Sequence, residues 1–298
     1  MLRIAVLSLK TAPSVLILYE SNKTMITLSS KEARQVLVGS TEVSLDLGKR
    51  LYKVKITGES VTFPDGQSVE LKYIKKIASD NDNVFLIDNN EVMKASFFSK
   101  ETKKLYTLRP TATSPALEIS GILMHRIKDI EPKTDAENKI AAISPLHGNV
   151  LDTCCGLGYT AILAAKSADV TTIEKDPNVL ELCRVNPYSQ ELFTNKRIKL
   201  IQGDTSEEVK KFKESSFNAI IHDPPSVSIA GELYSDEFYS QLFRVLKPGG
   251  KLLHYTGAPG SRGRGMDLSG SVARRLKKTG FRKVVTNEKT QSVVAVKH

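Results

Sequence analysis

Apolar and polar residues follow two different rhythms along this chain, and the change falls near residue 149. Before residue 110 the apolar positions alternate in short runs: Ser14–Leu18, Lys23–Leu28, Leu51–Ile56, Ser68–Leu71, Asn83–Ile87, Val92–Phe98 and Lys104–Leu108. A period of two belongs to strands with one buried face. Turn-forming clusters separate the runs, among them Ser21-Asn22, Pro64-Asp65-Gly66 and Asp88-Asn89-Asn90. One helix is predicted here, with Ser29 or Ser30 as N-cap and Lys31–Val38 as body. Residues 1–110 therefore read as a small β-rich domain. They hold no glycine-rich loop and no ligand cluster, so they read as a packing or substrate-positioning module.

Residues 111–148 read as a joint. Pro110 and Pro115 disfavour a continuous helix. The stretch Ala116–Arg126 predicts a strand, or a short helix with a turn. Thr134 or Asp135 can cap a helix running to about Ile143.

From residue 149 strands and helices alternate. Strands are predicted at Asn149–Asp152, Val170–Glu174, Ile198–Gln202, Asn218–Asp223 and Lys251–Tyr255, with a closing pair near Arg282–Thr286 and Ser292–Val296. Helices are predicted between them at Tyr159–Ser167, Pro177–Asn186, Glu207–Lys213, Asp236–Leu246 and Leu268–Thr279. This alternation implies an α/β domain over 149–298 with a mostly parallel sheet and helices on both faces. The last two strands are close enough to form a hairpin, so one is antiparallel. In such a sheet ligands lie outside the carboxyl ends of the strands.

Composition narrows the function classes. The 298 residues carry a formal charge of +10, and it is unevenly spread. Residues 244–298 hold 13 Lys/Arg against 2 Asp/Glu, a local +11. A pole this basic suggests a polyanionic partner, RNA or DNA. The alternative is a solvated basic face with no specific role. Three cysteines (Cys154, Cys155, Cys183) and five histidines show no metal-ligand spacing, so no metal is expected. No apolar run approaches the ~20 residues that span a bilayer. These features predict a cytoplasmic protein with no membrane partner; they say nothing of oligomeric state.

The candidate chemistry sits at four strand ends. The first is Asp152-Thr153-Cys154-Cys155-Gly156-Leu157-Gly158-Tyr159, a strand, a tight turn with glycines at i and i+2, and a helix start. It departs from the dinucleotide fingerprint, which has three glycines. The second is Glu174, whose carboxylate can accept from both hydroxyls of a ribose. The third is Gly203-Asp204-Thr205, where a carboxylate can accept from an adenine amino group. The fourth is His222-Asp223-Pro224-Pro225-Ser226.

Asp152, Gly156, Gly158, Glu174, Asp204 and Asp223-Pro224-Pro225 resemble, in order and spacing, the motifs of class I S-adenosylmethionine (SAM) methyltransferases. The resemblance covers 149–298. It implies a Rossmann-like seven-stranded sheet with a terminal hairpin, preceded here by the small β-rich domain, and SAM as cofactor. It further implies that Gly156 and Gly158 back the methionine part, that Glu174 holds the ribose and Asp204 the adenine. Asp152 would orient the loop or reach the SAM amino group. Cys154 stands where the family has its first glycine. Tyr159 and Thr205 are candidates for the pocket wall.

Asp223-Pro224-Pro225 is similar to the [DNS]-PP-[YFW] motif of amino-group methyltransferases and implies catalysis on an exocyclic amine. The nitrogen lone pair of such an amine is delocalised into the ring. A carboxylate and a backbone carbonyl accepting its hydrogens localise the pair for attack, and proline, with φ locked, fixes the carbonyl. Ser226 departs from the motif, since serine cannot stack on a base. Tyr234, Phe238, Tyr239 or Tyr255 could replace the missing aromatic. A cysteine-nucleophile mechanism is disfavoured, because no cysteine lies on the loops after the fourth or fifth strand. The glycine-rich loop after the fifth strand carries Arg262 and Arg264, which can fork onto phosphates, and Arg274, Arg275, Lys277 and Lys278 follow on one helix.

The stretches Leu117–Ile122, Met124-His125-Arg126, Leu233–Tyr239 and His254–Gly257 also resemble a family of predicted archaeal methyltransferases. That resemblance implies an archaeal cytoplasm and methylation of an RNA base, with N4 of a cytidine in ribosomal RNA as the target and transfer RNA the other RNA class considered. The competing expectations are a protein side-chain N-methyltransferase, an aminopropyltransferase acting on a polyamine, and a non-catalytic protein that binds SAM and RNA during assembly.

Overall fold

The computed structural model describes residues 25–257 and 267–298. The expected strand Ser14–Leu18 and the residues Arg262 and Arg264 lie outside them. The chain forms two compact units. The first runs through Pro132 and also takes in Asn178–Gln190; the second holds Lys133–Pro177 and Glu191–His298.

The first unit is built from short antiparallel sheets. Ile26–Leu28, Phe85–Asp88 and Glu91–Lys94 form one. Glu42–Ser44 pairs with Leu51–Lys53, and Lys55–Thr57, Ser60–Thr62 and Ser68–Glu70 form a third. The helix Ser30–Leu37 starts where its sequence says it should. Ser29 caps it, and Glu32 reaches back to the Ser29 backbone to close a capping box. A second helix, Leu71–Ser79, follows a strand where only a strand was expected. Leu71, Ile74, Ile77 and Ala78 recur at helical spacing, and Ile74 and Ile77 are fully buried.

This unit extends past residue 110. Ala116–Ile119 and Ile122–Leu123 form a hairpin that joins Lys104–Arg109 and Ser96–Ser99 in a four-stranded sheet. Residues expected in the joint thus belong to the first unit, because their backbone groups are paired there. Asn178–Gln190 groups with it through Tyr188, whose hydroxyl donates to the Leu47 carbonyl at 3.0 Å. Lys49 also donates to the Pro187 carbonyl at 2.6 Å.

The second unit carries a seven-stranded sheet. Its strands in chain order are Asn149–Asp152, Asp169–Glu174, Ile198–Gln202, Phe217–His222, Leu246–Tyr255, Arg282–Asn287 and Ser292–Val296. Their spatial order is third, second, first, fourth, fifth, seventh, sixth. The first five are parallel, and the seventh runs antiparallel between the fifth and the sixth. The order reverses between the first and fourth strands, which opens a crevice at their carboxyl ends. Leu151, Ile220 and Leu252 are fully buried in neighbouring strands. Each such burial is worth about 1.5–3 kcal/mol. The helix Pro132–Ile143 begins before the expected cap, so Asp135 lies inside its first turn. Among the described residues no helix is long and apolar enough to cross a membrane.

Candidate active site

Asp152 ends the first strand and is fully buried beneath the glycine loop. Its Oδ2 accepts from the hydroxyls of Thr160 and Thr172, at 3.2 and 3.1 Å, while Oδ1 has no hydrogen-bond partner among the described residues. Burial raises its carboxyl to about 7, with a smaller push from Asp223. Glu174, ending the second strand, accepts from the Gly156 N–H at 2.8 Å and the Asp176 N–H at 2.9 Å. Burial raises it too to about 7, against the lowering effect of those two donors. Glu174 therefore ties the glycine loop to the end of the neighbouring strand.

The two glycines do different work. Both have positive φ, +53° at Gly156 and +79° at Gly158. A Cβ on Gly156 would meet nothing within 4 Å, so the space above it is open. A Cβ on Gly158 would fall 2.4 Å from Leu192 Cδ1. Gly156 thus leaves open space beside its backbone, whereas Gly158 makes room for a buried leucine of its own unit. Cys154 is half-buried between these walls. Burial pushes its thiol well above the ordinary value, and the fields of Glu174, Asp152 and Asp223 push the same way. A thiol so protonated is no nucleophile.

Asp204, expected at an adenine, is already engaged. Its Oδ1 caps the helix Thr205–Lys211, accepting from Ser206 N–H at 2.9 Å, and its Oδ2 pairs with Lys175 at 2.7 Å. Lys175 is 66% exposed, so that ion pair is weakly held and Oδ2 can be released to a ligand. Thr205 is buried and its hydroxyl donates to the Thr153 carbonyl, stitching the third loop to the first. Tyr159 is 7% exposed and opens the helix Tyr159–Ala164. Thr205 and Tyr159 hold the wall rather than face a ligand broadly.

The fourth strand end carries Asp223, the residue expected to serve an acceptor. Asp223 Oδ2 lies 2.6 Å from Lys139 Nζ, and Oδ1 has no hydrogen-bond partner among the described residues. Lys139 was not anticipated. It projects from the helix Pro132–Ile143, is 5% exposed, and also lies 2.8 Å from Asp135. Burial alone would lower its pKa, but Asp223 and Asp135 outweigh it and raise it, so the ammonium persists. The i,i+4 spacing of Asp135 and Lys139 was the signal available in the sequence.

The expected stacking residues find other roles. Tyr234 is 5% exposed, and its hydroxyl donates to the Pro225 carbonyl at 2.9 Å. The short turn Gly231–Tyr234 folds its ring inward, so it braces the Asp-Pro-Pro loop and cannot stack on a base. Phe238 and Tyr239 are buried as well. One face of the Tyr255 ring carries the Lys139 ammonium, 4.3 Å from its centroid. Ser226 is exposed, and so are its loop neighbours Val227 and Ile229. Those two are the large aliphatic side chains that this loop exposes.

His222 and His254 lie under the loop as a buried pair with centroids 4.4 Å apart. His222 uses one nitrogen with the Thr153 hydroxyl at 2.7 Å and the other with the Leu233 carbonyl at 3.0 Å. His254 accepts from the Tyr239 hydroxyl at 3.0 Å and donates to the Tyr255 carbonyl at 2.8 Å. Burial lowers His254 to about 4 and His222 well below its ordinary value, so both are neutral braces and not proton shuttles. Among the described residues no His/Cys/Asp/Glu cluster could hold a metal.

These residues fit SAM. A buried carboxyl oxygen without a partner, an open backbone cradle at Gly156 and three carboxylates around Cys154 suit a ligand with a ribose, an ammonium and a sulfonium. Because both Asp152 and Glu174 sit near 7, SAM should bind the ionised forms better. Its affinity is expected to fall as pH drops from 7.5 to 6, by up to about tenfold per group per pH unit below 7. Titration calorimetry in buffers of different ionisation enthalpy should show proton release on binding near pH 7; a flat profile would exclude these titrations.

Residues 150–250 match the family model described as a methyltransferase domain. The uncharacterized protein MJ1233 of Methanocaldococcus jannaschii is 47% identical over 283 residues, which cover 92% of this chain and 96% of that one. A polyamine aminopropyltransferase of Thermoplasma volcanium is 32% identical over 118 residues, 38% of this chain and 43% of that one. A crystal structure of spermidine synthase in complex with the transition state analogue AdoDATO has the same fold: TM-score 0.56 at 22% identity, covering 68% of this chain and 73% of that one.

Proposed function

Because this chain belongs to one family with the M. jannaschii protein and carries a SAM-dependent methyltransferase domain, we propose that it methylates an exocyclic amino nitrogen of an RNA base, N4 of a cytidine in ribosomal RNA. The observation that supports this most is the acceptor corner. Asp223 presents one carboxylate oxygen while the other is held by Lys139, and Tyr234 fixes the proline loop from behind. Bound in the crevice, SAM supplies a methyl group on a positively charged sulfur. Asp223 Oδ1 and the Pro224 carbonyl accept the two amino hydrogens and localise the nitrogen lone pair toward that methyl. The nitrogen so held would take that methyl, the electron pair of the C–S bond staying with the sulfur. The nitrogen then gives one proton to Asp223 or to water. The basic stretch 244–298 supports RNA as the polyanion, acting in the cytoplasm, with Arg274 and Lys277 exposed on their helix.

Nucleoside mass spectrometry of RNA from cells with and without the gene tests the reading. Loss of N4-methylcytidine, or its dimethyl form, from ribosomal RNA is the expected result. An unchanged nucleoside profile would sink it. A second reading takes an aliphatic amine as acceptor, and the likeness to the aminopropyltransferase favours it. It predicts an alkylated polyamine in the same extracts and no change in RNA.

A further inference from the structure

Lysine is rarely buried, because its ammonium must then find full compensation inside the protein. Lys139 finds it in three groups from three parts of the second unit. Asp223 Oδ2 lies 2.6 Å away at the end of the fourth strand, and Asp135 Oδ2 lies 2.8 Å away one helical turn before it. The Tyr255 ring, at the end of the fifth strand, has its centroid 4.3 Å from the ammonium. Two carboxylates and an aromatic face make an alkylammonium cage. The carboxylates supply charge, and the ring supplies an apolar wall with a negative face.

We infer that Lys139 is a specificity-determining and positioning residue whose tethered ammonium fills an alkylammonium site beside Asp223. Filled from within, the site sets the Asp223 carboxylate in place and shuts out free aliphatic amines. Charge decides the consequence. Empty, the cage would present two carboxylates, buried Asp135 and half-buried Asp223, to any amine cation. Filled, Asp135, Lys139 and Asp223 together carry −1, with Asp223 Oδ1 left over as an acceptor. That suits the N–H of a neutral ring amine better than an ammonium. A free amine would also have to displace a group held at the high effective concentration of an intramolecular partner.

The test uses the whole chain and reads binding, not methyl transfer, so its failure would leave the proposed reaction untouched. Lys139→Ala removes Cγ, Cδ, Cε and Nζ, and n-propylammonium supplies the same three carbons and nitrogen. Thermal unfolding is followed with n-propylammonium chloride against sodium chloride at equal ionic strength. The alanine variant is expected to melt below wild type and to regain roughly 5 °C or more at a hundredfold excess of n-propylammonium over its Kd. Methylammonium should do less. Wild type should not respond, and neither should Lys139→Met, which fills the space without charge and should melt lower than wild type. A folded alanine variant that responds no more than wild type overturns the inference. So does a methionine variant as stable as wild type. If the alanine variant does not fold unaided, refolding with n-propylammonium recovers it on this inference, and no recovery counts against it.

Discussion

Asp223→Asn is expected to lower methyl transfer by about 10²–10⁴-fold while SAM affinity changes by less than about threefold. Asparagine keeps the shape and one acceptor oxygen but removes the charge that the proposed reaction uses to polarise the amine. Its amide can also turn an N–H toward the acceptor nitrogen, where a donor opposes lone-pair localisation. The fold should survive, because Lys139 keeps Asp135 at 2.8 Å when Asp223 loses its charge. The cofactor wall should survive as well, since Glu174 and Gly156 hold each other without Asp223. Single-turnover kinetics with labelled SAM and purified RNA separates the two quantities. A variant with near wild-type turnover would remove Asp223 from the chemistry. One that fails to bind SAM would move it to the cofactor side.

Gly158→Ala and Gly156→Ala should fail in opposite ways. At Gly158 the left-handed backbone costs a side chain about 1–2 kcal/mol. The new Cβ also meets Leu192, a residue only 3% exposed, and overpacking of that kind costs about 1–3 kcal/mol more. A total loss of roughly 2–5 kcal/mol lowers Tm by about 5–15 °C in a unit of this size. At Gly156 the backbone penalty is similar, but the Cβ enters open space. That variant should melt only a few degrees low and lose most of its SAM affinity, because the methyl stands where the cofactor approaches. Thermal unfolding and equilibrium dialysis on both variants check the contrast. Equal effects on stability and binding at both positions would mean that the glycines share one role.

Much of this was legible before any coordinates. The first four strands of the second unit follow their sequence closely because each is a short run rich in apolar residues ending in a polar or glycine turn; the fifth begins five residues before the expected Lys251, at Leu246, and carries Pro248-Gly249-Gly250. Asp152, Glu174 and Asp223 mark where those strands stop. The first helix is readable for the same reason: Ser29 or Ser30 is the expected N-cap, and the structure selects Ser29, with Glu32 closing a capping box. What stayed hidden depends on partners distant in sequence. The meeting of Lys139 with Asp223 spans 84 positions, and no pattern near either residue announces it. Gly158 looks like a ligand glycine until Leu192 is found above it. Tyr234 looks like a stacking aromatic until the turn that buries it is known. The helix Leu71–Ser79 was missed because its opening residues also read as the end of a strand.

The division of the chain into units bears on how such a protein could have arisen. The polypeptide passes from one unit to the other three times, after Pro132, after Pro177 and after Gln190. Joining two finished modules end to end makes a single passage. A gene fragment cut at the first junction would carry Asn178–Gln190 away from Leu47 and Lys49, the residues it bonds. The β-rich unit therefore cannot be released by a single cut: it takes thirteen residues, Asn178–Gln190, from within the stretch that otherwise forms the second unit.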